Sequence, residues 1–241
     1  MMLRVVRRVL IVKSLKLNKI KLLLRNLYLT MIMKIKPSVP KLLKTKPNKV
    51  IIYPGSFDPI HIGHITLALE AVNRLKVKEL YFMPEVLPRN KPDVEHFGHR
   101  VAMIKEAIKP YPKLKILEVE DKQFEVKKTL PKLQNYFFDQ KLVFLFGSDK
   151  LINMDQWPHF DYMLKSSEFI IGSRQADKLK DLKLITKTWK DSPNVKFIRS
   201  YAPEISSSVI RDALYDNEMP KGLLQSVNKY IRQNWLYVSL R

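Results

Sequence analysis

The stretch from Val50 to His64, Val-Ile-Ile-Tyr-Pro-Gly-Ser-Phe-Asp-Pro-Ile-His-Ile-Gly-His, constrains what this chain can fold into more than any other. It begins as a β-branched and aromatic run, Val50 to Tyr53, which reads as a buried strand. Pro54-Gly55 is expected to break that run, since glycine gives backbone freedom and removes bulk where a ligand must come close. Beyond Asp58-Pro59, the residues Ile65, Ala68, Leu69, Val72 and Leu75 recur at the spacing of one helical face. The predicted order is strand, turn, helix, with His61, Gly63 and His64 at the opening of the helix. Backbone N–H groups and the positive end of the helix dipole point into such a turn and make it an anion site. Two imidazoles there can donate to phosphate oxygens as charge builds up in a transition state. A strand-turn-helix with two satisfied surface histidines is the plainer alternative.

The same alternation continues through the chain. Strand-like runs fall at Val50–Tyr53, Leu80–Met83, Lys115–Val119, Leu142–Phe146, Phe169–Gly172 and Val195–Ile198, with helical patterns at Ile65–Leu75, His99–Ile108, Leu130–Phe137 and Phe160–Leu164. Strands alternating with helices predict an α/β fold: a Rossmann-like, doubly wound parallel sheet with helices on both faces. The segments Glu118–Lys128 and Gln175–Pro193 read as solvated loops or short surface elements. A closing amphipathic helix carries Leu223, Val227, Tyr230, Ile231 and Trp235, expected to pack on the core.

The net charge of +21 invites a nucleic-acid reading, but its distribution argues otherwise. Residues 1–49 hold 14 Lys and Arg and no acidic residue, which leaves only +7 for the rest of the chain. The excess belongs to an N-terminal extension, residues 1–48, joined through Pro37, Pro40 and Pro47 to a single domain at 49–241. Its longest apolar run, Val9 to Val12, is too short to span a bilayer, and its basic residues surround a helical wheel without leaving an apolar face. An organelle-targeting leader, a basic arm for nucleic acid or anionic membrane, and sequence upstream of a true start at Met31 or Met33 all fit this segment. A cytoplasmic location is expected for the domain, organelle targeting by the extension stays open, and so does a homo-oligomer. The chain has no cysteine, which excludes a disulfide framework, a thiolate metal site and a thiol nucleophile.

Three further stretches carry chemistry. The loop Pro84-Glu85-Val86-Leu87-Pro88-Arg89-Asn90-Lys91-Pro92 follows the second strand, on the side where open α/β sheets bind ligands, and Arg89 and Lys91 could meet an acceptor phosphate. The fourth strand ends in Gly147-Ser148-Asp149, where an acidic residue commonly accepts from ribose hydroxyls. Trp157 can stack on a heteroaromatic ring or serve as a structural indole. Finally, Ile205-Ser206-Ser207-Ser208-Val209-Ile210-Arg211 puts hydroxyls at the start of a helix, either as plain caps or as partners, with Arg211, of a triphosphate.

Taken together, Gly55-Ser56-Phe57-Asp58-Pro59-Ile60-His61-Ile62-Gly63-His64 resembles the signature of the HxGH nucleotidyltransferases, which share a HUP-type nucleotide site with class I aminoacyl-tRNA synthetases. Over residues 49–236 the chain resembles the nicotinate mononucleotide adenylyltransferases of NAD synthesis: the proline-rich loop 84–92, Gly147 with Asp149, Trp157, Phe169–Arg174 and Ile205–Arg211 match in order, and His99–Met103 matches a helix with an Arg and a Met. Two departures are Pro88-Arg89-Asn90-Lys91, where that family has Pro-Pro-His-Lys or Pro-Pro-His-Arg, and Ser208 in place of threonine. The opening Tyr53–Pro59 is similar to that of phosphopantetheine adenylyltransferases of coenzyme A synthesis, which are shorter and lack the Gly-x-Asp with a downstream tryptophan. A non-catalytic nucleotide- or nucleic-acid-binding homologue is the third alternative.

The resemblance implies transfer of AMP from ATP to nicotinate mononucleotide. It implies catalytic roles for His61, His64 and Arg211, and ATP contacts from Gly55, Ser56, Phe57, Gly63, Gly147, Asp149, Ser206 and Ser207. Lys91, Trp157 and Arg174 are implied on the acceptor side. Mg2+ is expected with the ATP, without metal-ligating residues of the protein itself, and no stable nucleic-acid partner is expected for the domain.

Overall fold

The computed structural model describes residues 48–89, 91–173, 177–189, 194–199 and 205–238. Residues Lys46–Arg241 group as one unit, and Met1–Thr45 as another that lies outside the described residues, as do the three readings of the extension.

The runs of β-branched and aromatic residues form six strands: β1 (Lys49–Gly55), β2 (Leu80–Pro84), β3 (Leu114–Ile116), β4 (Lys141–Gly147), β5 (Glu168–Ser173) and β6 (Val195–Arg199). All pair in parallel, in the order β3-β2-β1-β4-β5-β6. Between them run α1 (Ile62–Leu75), α2 (Phe97–Ile108), α3 (Val126–Tyr136), α4 (Ser148–Leu151), a 3-10 turn (Met154–Gln156), α5 (Phe160–Ser166) and α6 (Leu179–Lys187), and α7 (Ser207–Tyr215) and α8 (Gln225–Gln233) follow the last strand. The period-2 alternation of each strand divides its side chains between two cores. Ile51, Tyr53, Leu80, Phe82, Val143 and Ile170 face the side packed by residues of α1, α2 and α8. Val50, Ile52, Met83, Phe144, Phe146 and Phe169 face the side packed by α3, α5 and α6. This is the doubly wound sheet that the alternating pattern predicts.

The chain order reverses between β1 and β4, and there the ladder is short. β1 pairs with β4 only from Lys49 to Ile52, although both strands continue for three residues. On its other side β1 stays paired with β2 as far as Gly55. The strand therefore does not break at Pro54, as its composition suggests. Proline lacks an N–H, and Pro54 stands where the β4 side of the strand has already become an edge. The crevice opened between these strand ends is where doubly wound sheets bind ligands.

Other boundaries shift for identifiable reasons. β3 ends at Ile116 instead of reaching Val119, although Leu117 N–H still donates to the Phe82 carbonyl at 2.9 Å. The segment 118–128 is not a solvated loop: Asp121 and Phe124 are buried, and α3 starts early, at Val126. Within 175–193, α6 buries Leu182, and Trp189 packs edge-on against Phe160 at 4.9 Å between ring centroids. Trp235, expected in the core, is 79% exposed, and its two neighbours Leu236 and Tyr237 are buried instead.

Candidate active site

The turn after β1 leads into α1 through a reciprocal cap. His61 is the N-cap, and its Nδ1 accepts the Gly63 N–H at 3.1 Å, while His64 Nδ1 accepts the His61 N–H at 3.3 Å. A ring nitrogen that accepts carries no proton, so both imidazoles hold theirs on Nε2. The two rings lie 3.8 Å apart between centroids. Phe57 stands edge-on to His64 at 5.1 Å and to Tyr53 at 5.4 Å. Its side chain is buried in the core behind His64, so what Phe57 itself can offer a nucleotide is its backbone. The ring of Phe57 also covers Gly55, where an added Cβ would meet it at 2.9 Å; here glycine is required by close approach.

A second helix N-terminus converges on the same turn. Ser207 Oγ donates to the Pro59 carbonyl at 3.0 Å, and Arg211 Nη1 donates to the Asp58 carbonyl at 2.7 Å. Ser206 is the N-cap of α7, accepting the Val209 N–H at 3.3 Å and lying 2.9 Å from Ser208 Oγ. The capping account of these serines is thus the one observed for Ser206. The Ser207 hydroxyl proton is likewise engaged, which leaves the Ser207 and Ser208 amides at the start of α7, with Arg211, as the donor and cationic groups of this segment. In α1 the first-turn amides are already used: Ile62 N–H donates to the Gly222 carbonyl at 3.0 Å, Gly63 N–H to His61 Nδ1 and His64 N–H to the His61 carbonyl at 3.0 Å. Gly222 has φ +80°, and a Cβ there would run into Ile205, so only glycine lets this loop close against the residue that leads into α7.

Lys91 reaches the turn from the proline-rich loop, donating from Nζ to Ser56 Oγ at 2.7 Å. Partial burial of its ammonium, followed by the charges of Lys150 and Arg211, lowers its pKa, while Asp58 and Asp149 act the other way. Those neighbours locate Lys91, Lys150, Arg211 and Asp149 around one centre rich in positive charge. Asp149 sits in α4 with its carboxylate folded over Gly147, where a Cβ would come within 2.5 Å of it.

Arg89, in contrast, is bound to another segment. Its guanidinium donates to Gln123 Oε1 at 2.9 Å and to the Phe124 carbonyl at 3.1 Å, which ties the proline-rich loop to the segment 121–124. Trp157 is half-buried, edge-on to Phe146 at 5.5 Å and tilted on Phe124 at 6.3 Å, so it borders the same loop through Phe124. A hollow of about 600 Å3 opens between Val86, Pro88, Lys91, Phe97 and Gln123, a size in the usual small-ligand range of roughly 300–1,000 Å3. Arg174 lies outside the described residues.

Several residues that organise the site had little voice in the sequence. Arg100 is fully buried, and its guanidinium donates to the carbonyls of Glu95 at 2.7 Å, Ser56 at 2.8 Å and Val86 at 2.9 Å. It thereby joins the turn after β1, the proline-rich loop and the approach to α2. Asp58, visible only as part of a motif, accepts from Tyr237 Oη at 2.6 Å and from the Glu95 N–H at 3.2 Å. Among the described residues no three His, Asp or Glu side chains come together as a metal site. No helix among the described residues is long and apolar enough to cross a membrane.

The chain matches the family model described as cytidylyltransferase-like over residues 52–213. It is 33% identical over 196 residues to a Clostridium perfringens protein named "Probable nicotinate-nucleotide adenylyltransferase", covering 76% of this chain and 96% of that one. A Clostridium acetobutylicum protein of the same name is 30% identical over 201 residues, covering 79% and 100%. Among solved structures, the Plasmodium falciparum nicotinic acid mononucleotide adenylyltransferase complexed with NaAD superposes with a TM-score of 0.67 at 21% identity, over 79% of this chain and 97% of that one. A crevice at the switch point, two histidines capping α1 and relatedness over nearly the whole length of those Clostridium proteins agree: the chain belongs to the nicotinate-nucleotide adenylyltransferase family, within the cytidylyltransferase-like nucleotidyltransferases.

Proposed function

We propose that this chain transfers the adenylyl group of ATP to the 5′-phosphate of nicotinate mononucleotide, forming deamido-NAD and pyrophosphate. The observation that carries the reading is the convergence of two helix N-termini, α1 with His61 and His64 and α7 with Arg211, on the Asp58-Pro59 turn. That arrangement suits a polyphosphate, because the two helix dipoles, the imidazole N–H groups of α1, the opening amides of α7 and the Arg211 cation all favour negative charge.

A phosphate oxygen of the mononucleotide attacks the α-phosphorus of ATP, the bond from that phosphorus to the bridging oxygen breaks, and pyrophosphate leaves. No protein nucleophile is required; positioning and charge stabilisation carry the rate. His64 donates from Nε2 to the α-phosphate as charge spreads over it, and His61 donates to the neighbouring phosphates. Gly55 and Ser56 offer backbone groups along the same turn, and Gly63, its N–H held by His61 Nδ1, leaves the start of α1 open to the nucleotide by lacking a side chain. Arg211 and the first turn of α7, at Ser206 and Ser207, hold the β- and γ-phosphates that become the leaving group. Lys91 meets the acceptor phosphate, Asp149 takes a ribose hydroxyl, and Trp157 stacks on the pyridine ring at the border of the loop. Bound with the ATP, Mg2+ would neutralise charge on its phosphates.

The test is pyrophosphate release from ATP and Mg2+ with nicotinate mononucleotide, nicotinamide mononucleotide and phosphopantetheine as separate acceptors. Release with the nicotinate form above the amide form supports the proposal. Release with phosphopantetheine alone, or with none of the three, overturns it.

A further inference from the structure

Asp58 is the least expected group in this site, a carboxylate beneath a surface built for anions. Its side chain is only 3% exposed, and two donors meet at one oxygen: Tyr237 Oη at 2.6 Å and the Glu95 N–H at 3.2 Å, both on Oδ1. The other oxygen lies 3.5 Å from Arg211 Nη1, longer than a good charge-assisted bond. The short bond of that nitrogen goes instead to the Asp58 backbone carbonyl, at 2.7 Å. Arg211 is thus held beside Asp58 without being drawn fully into an ion pair with it.

Tyr237 comes from the far end of the chain, and its delivery is specific. After α8, Trp235 and Tyr237 take φ of +54° and +55°, in the left-handed region that non-glycine residues adopt at a cost. Trp235 is left on the surface while Leu236 and Tyr237 turn inward, with the Leu236 N–H donating to the Ile231 carbonyl at 3.1 Å. Burial, then the charge of Asp58, push the phenol's pKa well up, so the hydroxyl stays a donor.

We infer that Tyr237 is a positioning residue for the triphosphate: its hydroxyl satisfies Asp58, and Asp58 so held leaves the Arg211 guanidinium available to the β- and γ-phosphates. This rests on the adenylyl-transfer reading above. Without the hydroxyl, Oδ1 loses its shorter partner, and a buried carboxylate in deficit recovers by closing the gap to Arg211. The guanidinium is then shared with Asp58 at the expense of the nucleotide.

The experiment is calorimetric titration of the full chain with ATP and Mg2+, for the wild type, Tyr237→Phe, Arg211→Ala and the double variant, after each is shown to melt cooperatively. Tyr237→Phe is expected to weaken ATP by about tenfold, the order of one weakened charge-assisted hydrogen bond. In steady state the KM for ATP rises while kcat and the acceptor KM stay near wild type. In the Arg211→Ala background the same change should do nothing further, because it acts through the missing guanidinium. Adding Asp58→Asn to Tyr237→Phe should restore ATP affinity, as a neutral amide no longer draws Arg211 in. Unchanged ATP affinity in Tyr237→Phe, equal weakening with and without Arg211, or no recovery with Asp58→Asn each overturn the assignment. Should Tyr237→Phe fail to fold, the Asp58→Asn/Tyr237→Phe arm decides alone: wild-type affinity there supports the role and weak binding refutes it. A wild-type chain that binds no ATP overturns the functional reading instead.

Discussion

The His61 backbone N–H donates to His64 Nδ1 at 3.3 Å, so the second histidine of the motif is aimed by the backbone of the first. The bond fixes both the ring's orientation and its tautomer, and it closes one end of α1 as a capping box. The two roles can be separated. His64→Gln keeps a side chain of the kind that serves at this capping position, while His64→Ala removes both the cap and the ring. Both should lower kcat by roughly two to three decades, the usual loss for one transition-state donor, with ATP affinity changed far less. Only the alanine variant should also lose about 1 kcal/mol of stability, the scale of a lost cap. Turnover near wild type in either variant would remove His64 from the chemistry.

Arg100 presents the opposite case, a fully buried cation that touches no substrate in this account. Burial lowers its pKa, against nearby Asp58, Tyr237, Glu85 and Glu95, and its donors go to three backbone carbonyls. Lysine cannot reproduce that planar fork. Arg100→Lys should therefore destabilise the chain by on the order of 2–3 kcal/mol, through carbonyls left short of a donor. Because those carbonyls belong to the phosphate turn and to the proline-rich loop, the KM values for ATP and for the acceptor should rise together. Denaturant melts and paired KM measurements check this; a selective effect on one substrate would mean the two loops are not held in common.

What the sequence made legible was local. The strands β1, β4 and β5 and the opening of α1 announce themselves because apolar period and capping chemistry act within a few residues. The convergence of α7 on Asp58-Pro59 depends on contacts such as Ser207 with Pro59, 148 positions apart, which no periodicity reports. Tyr237 and Asp58 are 179 positions apart, and Tyr237 lies beyond the last helical pattern, where no period marks it as buried. The segment 118–128 looked solvated from its charge, yet the charge is used inward: Asp121 is buried and accepts from Thr129 and Lys132. Arg89 and Lys91, equivalent in composition, diverge because one finds carbonyl and amide acceptors in 121–124 and the other finds Ser56.

Lys91 supplies a pH prediction. Partial burial and the charges of Lys150 and Arg211 set its pKa below the ordinary lysine value of about 10.4. A lowered lysine pKa means the folded chain binds that proton less tightly than the unfolded one does. Its charged form therefore costs stability at neutral pH, and that cost is relieved as pH rises through the folded value. On the proposed role of Lys91, that charge meets the acceptor phosphate. The acceptor KM should rise on the alkaline side before an ordinary lysine would titrate, and Lys91→Arg should abolish that limb because guanidinium stays charged. Lys91→Met should raise the acceptor KM at all pH values without lowering the melting temperature. An alkaline limb that persists unchanged in Lys91→Arg would assign it to another group.

Asp121 tests how firmly the proline-rich loop is seated. Burial alone would raise its pKa, but hydrogen bonds from Lys132 and Thr129, with the charges of Lys132 and Lys128, bring it below the usual carboxylate value. A carboxylate depressed in the folded state adds stability above its unfolded pKa of about 3.9, and that stability is lost as pH falls through the lower folded value. The contribution is modest, since both lysines are exposed at their ends and solvent screens them. Asp121→Asn keeps an acceptor for Thr129 and removes the charge, and should lower stability by about 1 kcal/mol at pH 7. The gap should narrow below pH 4, where the wild type itself becomes protonated. The same segment receives the Leu87 N–H on the Lys122 carbonyl at 2.8 Å and holds Arg89 through Gln123 and Phe124. A loosened Asp121 should therefore raise the acceptor KM and leave the ATP KM alone. A stability gap independent of pH would show that the charge of Asp121 contributes nothing, and equal changes in both KM values would show that the loop is not anchored through it.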